Sequence, residues 1–242
     1  NQNMLYDSKR DMLKLLPGSA SVQEIQLNIS GEVTECTKVP VLNLLVESDK
    51  VSIPELLSLI PKEYMKKAEG VRGNGVATVK IEVKGSVTDS TNPDISGLVS
   101  ATDASIQYAQ LPKPITNVNI ATDFVRAQMK QEFRITKFSA TLGNNPLGAT
   151  MTIMNFDDPS LTMFLNASLN LAEVKDYYPL EAGTELSGSM KANVNIAGKI
   201  SNPSAMKATG TMDFQGVTIK TVLSKNPVQN LNGSITFNNQ RI

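Results

Sequence analysis

The chain has 242 residues, with 23 basic and 23 acidic side chains, no Trp and no His. This balanced charge lacks the positive field that nucleic-acid binding requires, so we expect no nucleic-acid partner. The missing histidines exclude histidine-dependent triads and argue against ordinary zinc or iron sites. The sequence shows no nucleophile, base or metal constellation and no phosphate-binding loop, so we expect neither an enzyme nor a cofactor.

The first part of the chain predicts strands. Residues 4–16 fit either a helix or a strand, and the neighbouring sequence does not decide between them. Further on, Ile25, Leu27 and Ile29 fall on one face of an extended segment while the polar residues between them fall on the other. This alternation is typical of a half-buried strand. Residues 40–46 predict a second strand.

The spacing of the apolar residues changes within residues 51–67, where Ile53, Leu56, Leu57 and Ile60 predict a helix. Ser52 is placed to cap its N-terminus, with Glu55 in the first turn. Pro61 ends this helix, because proline disrupts a helix interior. Residues 62–68 predict a second short helical turn before a glycine-rich stretch.

The remaining segments predict a meander of antiparallel strands. Residues 95–101 and 104–109 are separated only by Thr102 and Asp103, which predicts a hairpin. Further alternating segments are residues 115–124, 129–137, 138–142, 148–154 and 161–169.

Part of the sequence pattern occurs twice in the chain. A pattern of small apolar residues, glycines and prolines recurs 113 residues further on. The equivalent positions are Gly75 and Gly188, Gly85 and Gly198, Gly97 and Gly210, Pro114 and Pro227, and Val118 and Leu231. A constant offset over so many positions predicts a structural repeat.

The repeat argues against independent globular domains. Residues 169–179 also correspond to residues 51–61, where the helix is predicted. We therefore interpret the chain as one fragment of a repeat array, in which neighbouring units complete each other's core. In this interpretation residues 1–30 end a preceding unit, residues 31–124 form repeat one and residues 125–242 form repeat two.

The predicted strands share one long apolar face. It is poor in large aromatic residues and contains several methionines, which adapt readily to different neighbours. The pattern fits two structures equally well, a closed core or an open groove that holds flexible chains. The candidate lining residues of such a groove are Ile25, Leu27, Ala77, Val79, Ile81, Val83, Ile95, Val99, Ile106, Ile120, Phe133, Met151, Met163, Met190, Val194, Ile196, Met212 and Ile219.

From residue 22 to its end, the chain resembles the C-terminal region of AsmA-like proteins. These are relatives of TamB and, more distantly, of the eukaryotic bridge-like lipid-transfer proteins. The features that carry the resemblance are Leu56-Leu-Ser-Leu-Ile-Pro61, Gly73-Asn-Gly75, Gly85, Asn92-Pro93, Ile95-Ser-Gly97, Ala104-Ser-Ile106 and Leu111-Pro-Lys-Pro-Ile115. The resemblance implies a mainly β fold, an extended, curved antiparallel sheet with an open, taco-like groove built from tandem repeats.

The resemblance also implies a function and a location. AsmA-like proteins are envelope proteins of Gram-negative bacteria whose repeats lie in the periplasm. The resemblance implies that this chain is such a periplasmic segment, and that an N-terminal helix outside it anchors the protein in the inner membrane. We expect a lipid-binding groove that takes part in phospholipid transport between the inner and outer membranes and in outer-membrane homeostasis. Its partner would be a phospholipid or another acyl-chain lipid. The alternative is a scaffold for outer-membrane proteins that pairs its edge strands with client strands.

Overall fold

The computed structural model describes residues 3–22, 25–58, 70–109, 111–222 and 226–241. The helical turn predicted at residues 62–68 lies outside these ranges. The strands are β1 Met4–Asp7, β2 Met12–Val22, β3 Ile25–Thr34, β4 Val41–Ser52, β5 Val71–Asn74, β6 Val76–Ser86, β7 Asp94–Tyr108, β8 Ile115–Ala127, β9 Lys130–Leu142, β10 Asn145–Met154, β11 Ser160–Asn170, β12 Glu185–Lys199, β13 Lys207–Lys220 and β14 Val228–Arg241. The helices are α1 Ile53–Ser58 and the 3-10 helices Leu171–Asp176 and Pro203–Ala205.

All fourteen strands belong to one antiparallel sheet. Their order in the sheet follows the chain, except that the short β5 pairs with β7 instead of joining the main path. The outermost strands of the described sheet are β1 and β14, which do not pair with each other, so the sheet is not closed. The predicted fold class is confirmed: the chain forms a mainly β, extended, curved and open antiparallel sheet with short helical insertions.

Several predictions for single segments are resolved or corrected. Residues 4–16, which fitted a helix or a strand, contain β1 and the start of β2, paired with each other. The hairpin predicted at Thr102 and Asp103 is wrong, because β7 runs straight through them as a β-bulge. Asp103 takes a left-handed conformation with φ of 54°, which lets the strand absorb an extra residue without reversing. Residues 129–142 likewise form the single strand β9 with its turn.

The repeat is visible in the backbone. Strands β7 and β13 begin at Asp94 and Lys207, and strands β8 and β14 begin at Ile115 and Val228, so both starts differ by 113 residues. The register shifts recur as well. The shift between Ala101/Ala104 in β7 has its equivalent between Phe214/Val217 in β13. The three strands β6 to β8 therefore repeat as β12 to β14, and both register shifts between β7 and β8 recur between β13 and β14.

The two helical insertions also correspond. In α1 the Ser52 hydroxyl accepts from the Glu55 N–H at 3.3 Å, and the Ser52 N–H donates to Glu55 Oε2 at 2.7 Å. This reciprocal pair is a capping box, so the predicted N-cap is confirmed. Before the 3-10 helix Leu171–Asp176, Asn170 accepts from the backbone and donates to Glu173 Oε1 at 2.9 Å. The inferred unit boundaries at residues 30 and 124 fall inside β3 and β8 and stay an interpretation of the sequence.

The buried residues of the sheet are small. One cluster packs Ala77, Ala101, Ala104, Val118 and Ala140 against the helix α1, a second joins Ile25, Val51 and Val79, and a third joins Ala167, Ala192, Val194 and Ala208. These short side chains are covered by larger, partly buried ones that pack against them, such as Leu56, Ile120 and Phe138 in the first cluster. Only Val51 and Val217 are less than 2 % exposed among the large side chains of the described residues.

Candidate functional site: the apolar face of the sheet

The register of the strands assembles one continuous apolar face. Directly opposed residues in neighbouring antiparallel strands point to the same side of a sheet. One row of opposed residues runs through Val51, Ala77, Ala101, Ile120, Phe138, Ala149, Leu165, Val194, Gly210 and Phe237. The next row runs through Ser48, Val79, Val99, Thr122, Ile135, Met151, Met163, Ile196 and Ala208. The first row is about 43 Å long at roughly 4.8 Å per strand.

All of the candidate lining residues lie on this side of the sheet, which we call the apolar face. Ile25, Ala77, Val79 and Val194 are buried, and the others are partly exposed. The sequence reasoning missed further residues of the same face, including Leu44, Val46, Phe124, Ile153 and Leu165. The alternation of the β4 segment carried a signal for the first two. The other three lie in step with the candidates Ile120, Met151 and Met163 of their own strands, so the same alternation carried a signal for them.

No second sheet among the described residues covers the apolar face. The accessible surface of the chain is 15570 Å². A compact monomer of 26.1 kDa would expose only roughly 10,600 Å². The protein therefore exposes about half as much surface again as a closed fold of the same mass. This excess fits a single curved layer and not the two facing layers of a sandwich.

The larger side chains of the face show the same openness. Met151, Met163, Ile196 and Met212 lie at central positions of their strands and are all only partly buried. In the core of a sandwich, side chains at such positions would be covered by the opposing sheet. Here their outer surfaces are left free for another apolar body.

One end of the face is covered by α1. Its side chains Ile53 and Leu56 pack against the cluster that contains Ala77 and Ala104. A methyl group at Gly73 would lie 2.2 Å from the Ile53 side chain, so the helix also sits tightly on β5. The helix therefore ends the apolar face along the strand direction in the first repeat.

The equivalent insertion of the second repeat is held by a buried amide. Asn145 is 8 % exposed, and its Nδ2 donates to the Leu142 carbonyl and to Glu173 Oε2, both at 2.7 Å. Its Oδ1 accepts from the Asn170 N–H at 2.7 Å. Every polar atom of this buried side chain is thus satisfied. The network fixes the 3-10 helix Leu171–Asp176 to the start of β10.

The opposite face of the sheet is polar and carries cross-strand ion pairs. Lys80 and Glu47 approach to 3.1 Å, and Arg134 and Asp123 approach to 2.6 Å. The hydrogen bond that Arg134 Nε donates to the Asp123 carboxylate raises the pKa of Arg134 above its ordinary value. Lys80, Glu47 and Arg134 are well exposed and Asp123 is partly exposed. Such pairs contribute little to stability and mainly keep this face hydrated.

The described residues add two further findings. No helix among them is long and apolar enough to cross a membrane. In the same ranges, no three or more Cys, Asp and Glu side chains come together as a set of metal ligands.

Together these features define an open, repeat-built β-sheet protein with one apolar and one polar face. No protein-family model matches the chain, and comparison with curated proteins and with solved structures found no significant match. Its function is therefore inferred from the fold and from the apolar face.

Proposed function

We propose that this chain is a lipid-binding segment that shields acyl chains from water on the apolar face. The observation that carries the proposal is the row of apolar residues that crosses ten strands without interruption by a charged side chain, from Val51 to Phe237. The helix α1 covers the end of this row at Ala77, and no second sheet of the described residues covers the rest. Soluble proteins seldom leave so large an apolar surface free unless another apolar body covers it.

The energetics favour an acyl chain as that body. Exposing a methylene group to water costs about 0.8 kcal/mol, so a chain of sixteen carbons costs on the order of 12 kcal/mol. Covering the chain on the apolar face removes most of this cost. Since the rows continue from strand to strand, a bound lipid can move along the sheet while its tails stay covered.

The proposed biological setting follows the resemblance to AsmA-like proteins. It is the periplasm of a Gram-negative bacterium, with the segment belonging to a protein anchored in the inner membrane. Its role there would be phospholipid transport between the two membranes and outer-membrane homeostasis. The open sheet and the repeated strands support this proposal, because both lengthen an apolar path without any catalytic group.

Lipid loading can be tested with a pair of adjacent substitutions. Ile196→Asp places a carboxylate on the apolar face, and Asn195→Asp places the same group on the polar face of the same strand. We expect mass spectrometry to find phospholipid on gently purified wild-type protein and on Asn195→Asp, and little on Ile196→Asp. Circular dichroism checks that each variant keeps its strand content. The proposal fails if wild-type protein carries no lipid and binds no fluorescent fatty acid.

A second candidate function rests on the edge strand β14. This strand covers Val228–Arg241, and no other strand of the described sheet pairs with its outer side. A long free edge is a template for pairing with another strand, which is how a scaffold for outer-membrane proteins would hold its clients. Photo-crosslinkers at Ser234 and at Met163 separate the two functions. A scaffold crosslinks proteins at Ser234, whereas a lipid carrier crosslinks lipid at Met163.

A further inference from the structure

One charged side chain interrupts the pattern of the sheet. Among the described strand residues, Arg126 is the only charged one that the register places on the apolar face. It lies opposite Ile95 in β7 and Gln131 in β9, at the end of the strands remote from α1. All other described charges of the strands lie on the polar face or at bulges.

A polar cavity of about 510 Å³ surrounds Arg126. The cavity is lined by Gly85 and Ile95, which lie at the end of the apolar face, and by residues 90–93 of the loop between β6 and β7. This loop lies over the strand end, since a methyl group at Gly85 would be 3.7 Å from Pro93 Cα. The remaining polar lining residues are Ser86, Ser90, Thr91, Asn92, Gln128 and Gln131. The cavity and the apolar face are therefore continuous at Ile95.

Arg126 supplies the positive charge on the apolar side of the cavity, because the register places the other two charged lining residues, Lys84 and Asp94, opposite each other on the polar face. The cavity is also lined by Lys84 and Asp94, and Lys84 pairs with Glu82 at 2.6 Å. No described carboxylate forms an ion pair with Arg126. A guanidinium group presents several donors in a planar fork that matches a phosphate, and the hydroxyl and amide groups of the loop can add hydrogen bonds.

We propose that this cavity holds the phosphate of a glycerophospholipid headgroup while the acyl chains of the same lipid lie on the apolar face. This inference rests on the proposed lipid-binding function and adds a site and an orientation to it. Binding an anionic phosphate at the rim keeps the charged group in contact with water. Placing it further along the strand would bury it among apolar side chains at high cost.

The length of the strand fits this orientation. From Arg126 to Val118 the strand β8 spans eight residues, or about 26 Å. One leaflet of a bilayer accounts for about half of the roughly 30 Å hydrocarbon core, or about 15 Å per tail. The tails of a lipid held at Arg126 therefore end before the cluster of Val118 and Ala104, where α1 covers the face. The headgroup end is the end of the face that α1 does not cover.

The site belongs to one repeat. The residue 113 positions after Arg126 is Asn239, so the second repeat does not conserve the cation. We infer one headgroup site beside Arg126 and a second unit that covers only tails. A matched control is Lys137, which lies in β9 opposite Ala121 on the polar face and is also exposed.

The test compares ligands that differ in one part. A fluorescent fatty acid is bound to delipidated wild-type, Arg126→Gln and Lys137→Gln proteins. Three unlabelled competitors then displace it: phosphatidylglycerol, diacylglycerol with the same tails, and glycerol 3-phosphate. We expect wild type and Lys137→Gln to bind phosphatidylglycerol on the order of tenfold more tightly than diacylglycerol. In Arg126→Gln this preference disappears, while the affinity for diacylglycerol stays unchanged.

Three outcomes would overturn the site and can be told apart. If Arg126→Gln keeps the preference, Arg126 does not hold the headgroup. If glycerol 3-phosphate alone binds wild type as tightly as the lipid does, the cavity is a site for free phosphate esters. If wild type binds neither phosphatidylglycerol nor diacylglycerol, the proposed lipid-binding function itself fails, and the headgroup site fails with it.

Discussion

Asn119 and Asn232, which lie 113 residues apart, make the same hydrogen bonds in the two repeats. The Oδ1 of Asn119 accepts from the Asp103 N–H at 3.2 Å, and the Oδ1 of Asn232 accepts from the Gly216 N–H at 2.8 Å. Each Nδ2 donates at 2.8 Å to the carbonyl of the residue two positions earlier. Both residues thereby hold a β-bulge in which the partner strand takes a left-handed conformation, with φ of 54° at Asp103 and 60° at Gly216.

We expect Asn119→Ala to destabilise the sheet by about 1–2 kcal/mol, because the bulge loses both of its side-chain hydrogen bonds. Urea unfolding followed by circular dichroism measures the change. Asn195→Ala is the matched control, since Asn195 is exposed on the polar face of β12, and it should change the free energy of unfolding by less than about 0.5 kcal/mol. Equal effects of the two substitutions would show that Asn119 does not hold the bulge.

The sheet itself could be predicted from the sequence, because a half-buried strand leaves a period of two that each segment shows on its own. The hairpin at Thr102 and Asp103 was wrong for a physical reason. Residues that favour a turn also favour a bulge, since both need a left-handed backbone. What separates them is the partner Asn119, which lies sixteen positions along the chain and could not be connected to Asp103 without the register.

The candidate site was predictable to a similar degree. Alternation alone placed Val79, Met163 and Val194 on one face, since it depends only on the strand period. Whether that face is covered depends on tertiary structure, and the sequence fitted a closed core and an open groove alike. Arg126 was missed because the predicted strand ended at residue 124. The pairing with β7 and β9 extends β8 to Ala127 and so places Arg126 on the apolar side.

The two glycines Gly210 and Gly216 of β13 should tolerate substitution by a larger residue to different degrees. Gly210 has φ of 125°, and a methyl group there would lie 2.0 Å from the Asn193 carbonyl oxygen. We expect Gly210→Ala to cost about 2–4 kcal/mol through backbone strain and overpacking. Gly216 has nothing within 4 Å, and its equivalent in the first repeat is Asp103. Gly216→Asp should stay within about 1 kcal/mol of wild type. The urea midpoints of the two variants measure whether Gly210→Ala is the more destabilising substitution.

The capping box of α1 predicts a pH dependence. The hydroxyl and the N–H of Ser52 hydrogen-bond the Glu55 carboxylate and hold its pKa below the ordinary value of 4.5. A pKa lowered by folding contributes stability that is complete above pH 4.5 and is lost as the pH falls through the folded pKa. An NMR titration of the Glu55 carboxyl should show the lowered pKa, and Ser52→Ala should return it towards 4.5. An unchanged titration in Ser52→Ala would contradict the cap.

The openness of the apolar face predicts how its side chains react with a thiol reagent. Cys36 is the one cysteine of the chain, so Cys36→Ser provides a background with no free thiol. The Sγ of Cys36 donates to the Val33 carbonyl at 3.3 Å, a bond that a serine hydroxyl can also make. In that background Met163→Cys places a thiol on the apolar face and Thr162→Cys places one on the polar face.

Since no second layer covers Met163 in the described sheet, a water-soluble maleimide should label both thiols in delipidated protein at rates within about a factor of ten of each other. Adding an acyl-chain lipid should slow the labelling of Met163→Cys and leave Thr162→Cys unchanged, because the tails cover one side of the strand only. A thiol at position 163 that resists labelling without lipid would mean that the protein itself covers the face. Equal labelling with and without lipid would mean that the tails lie elsewhere.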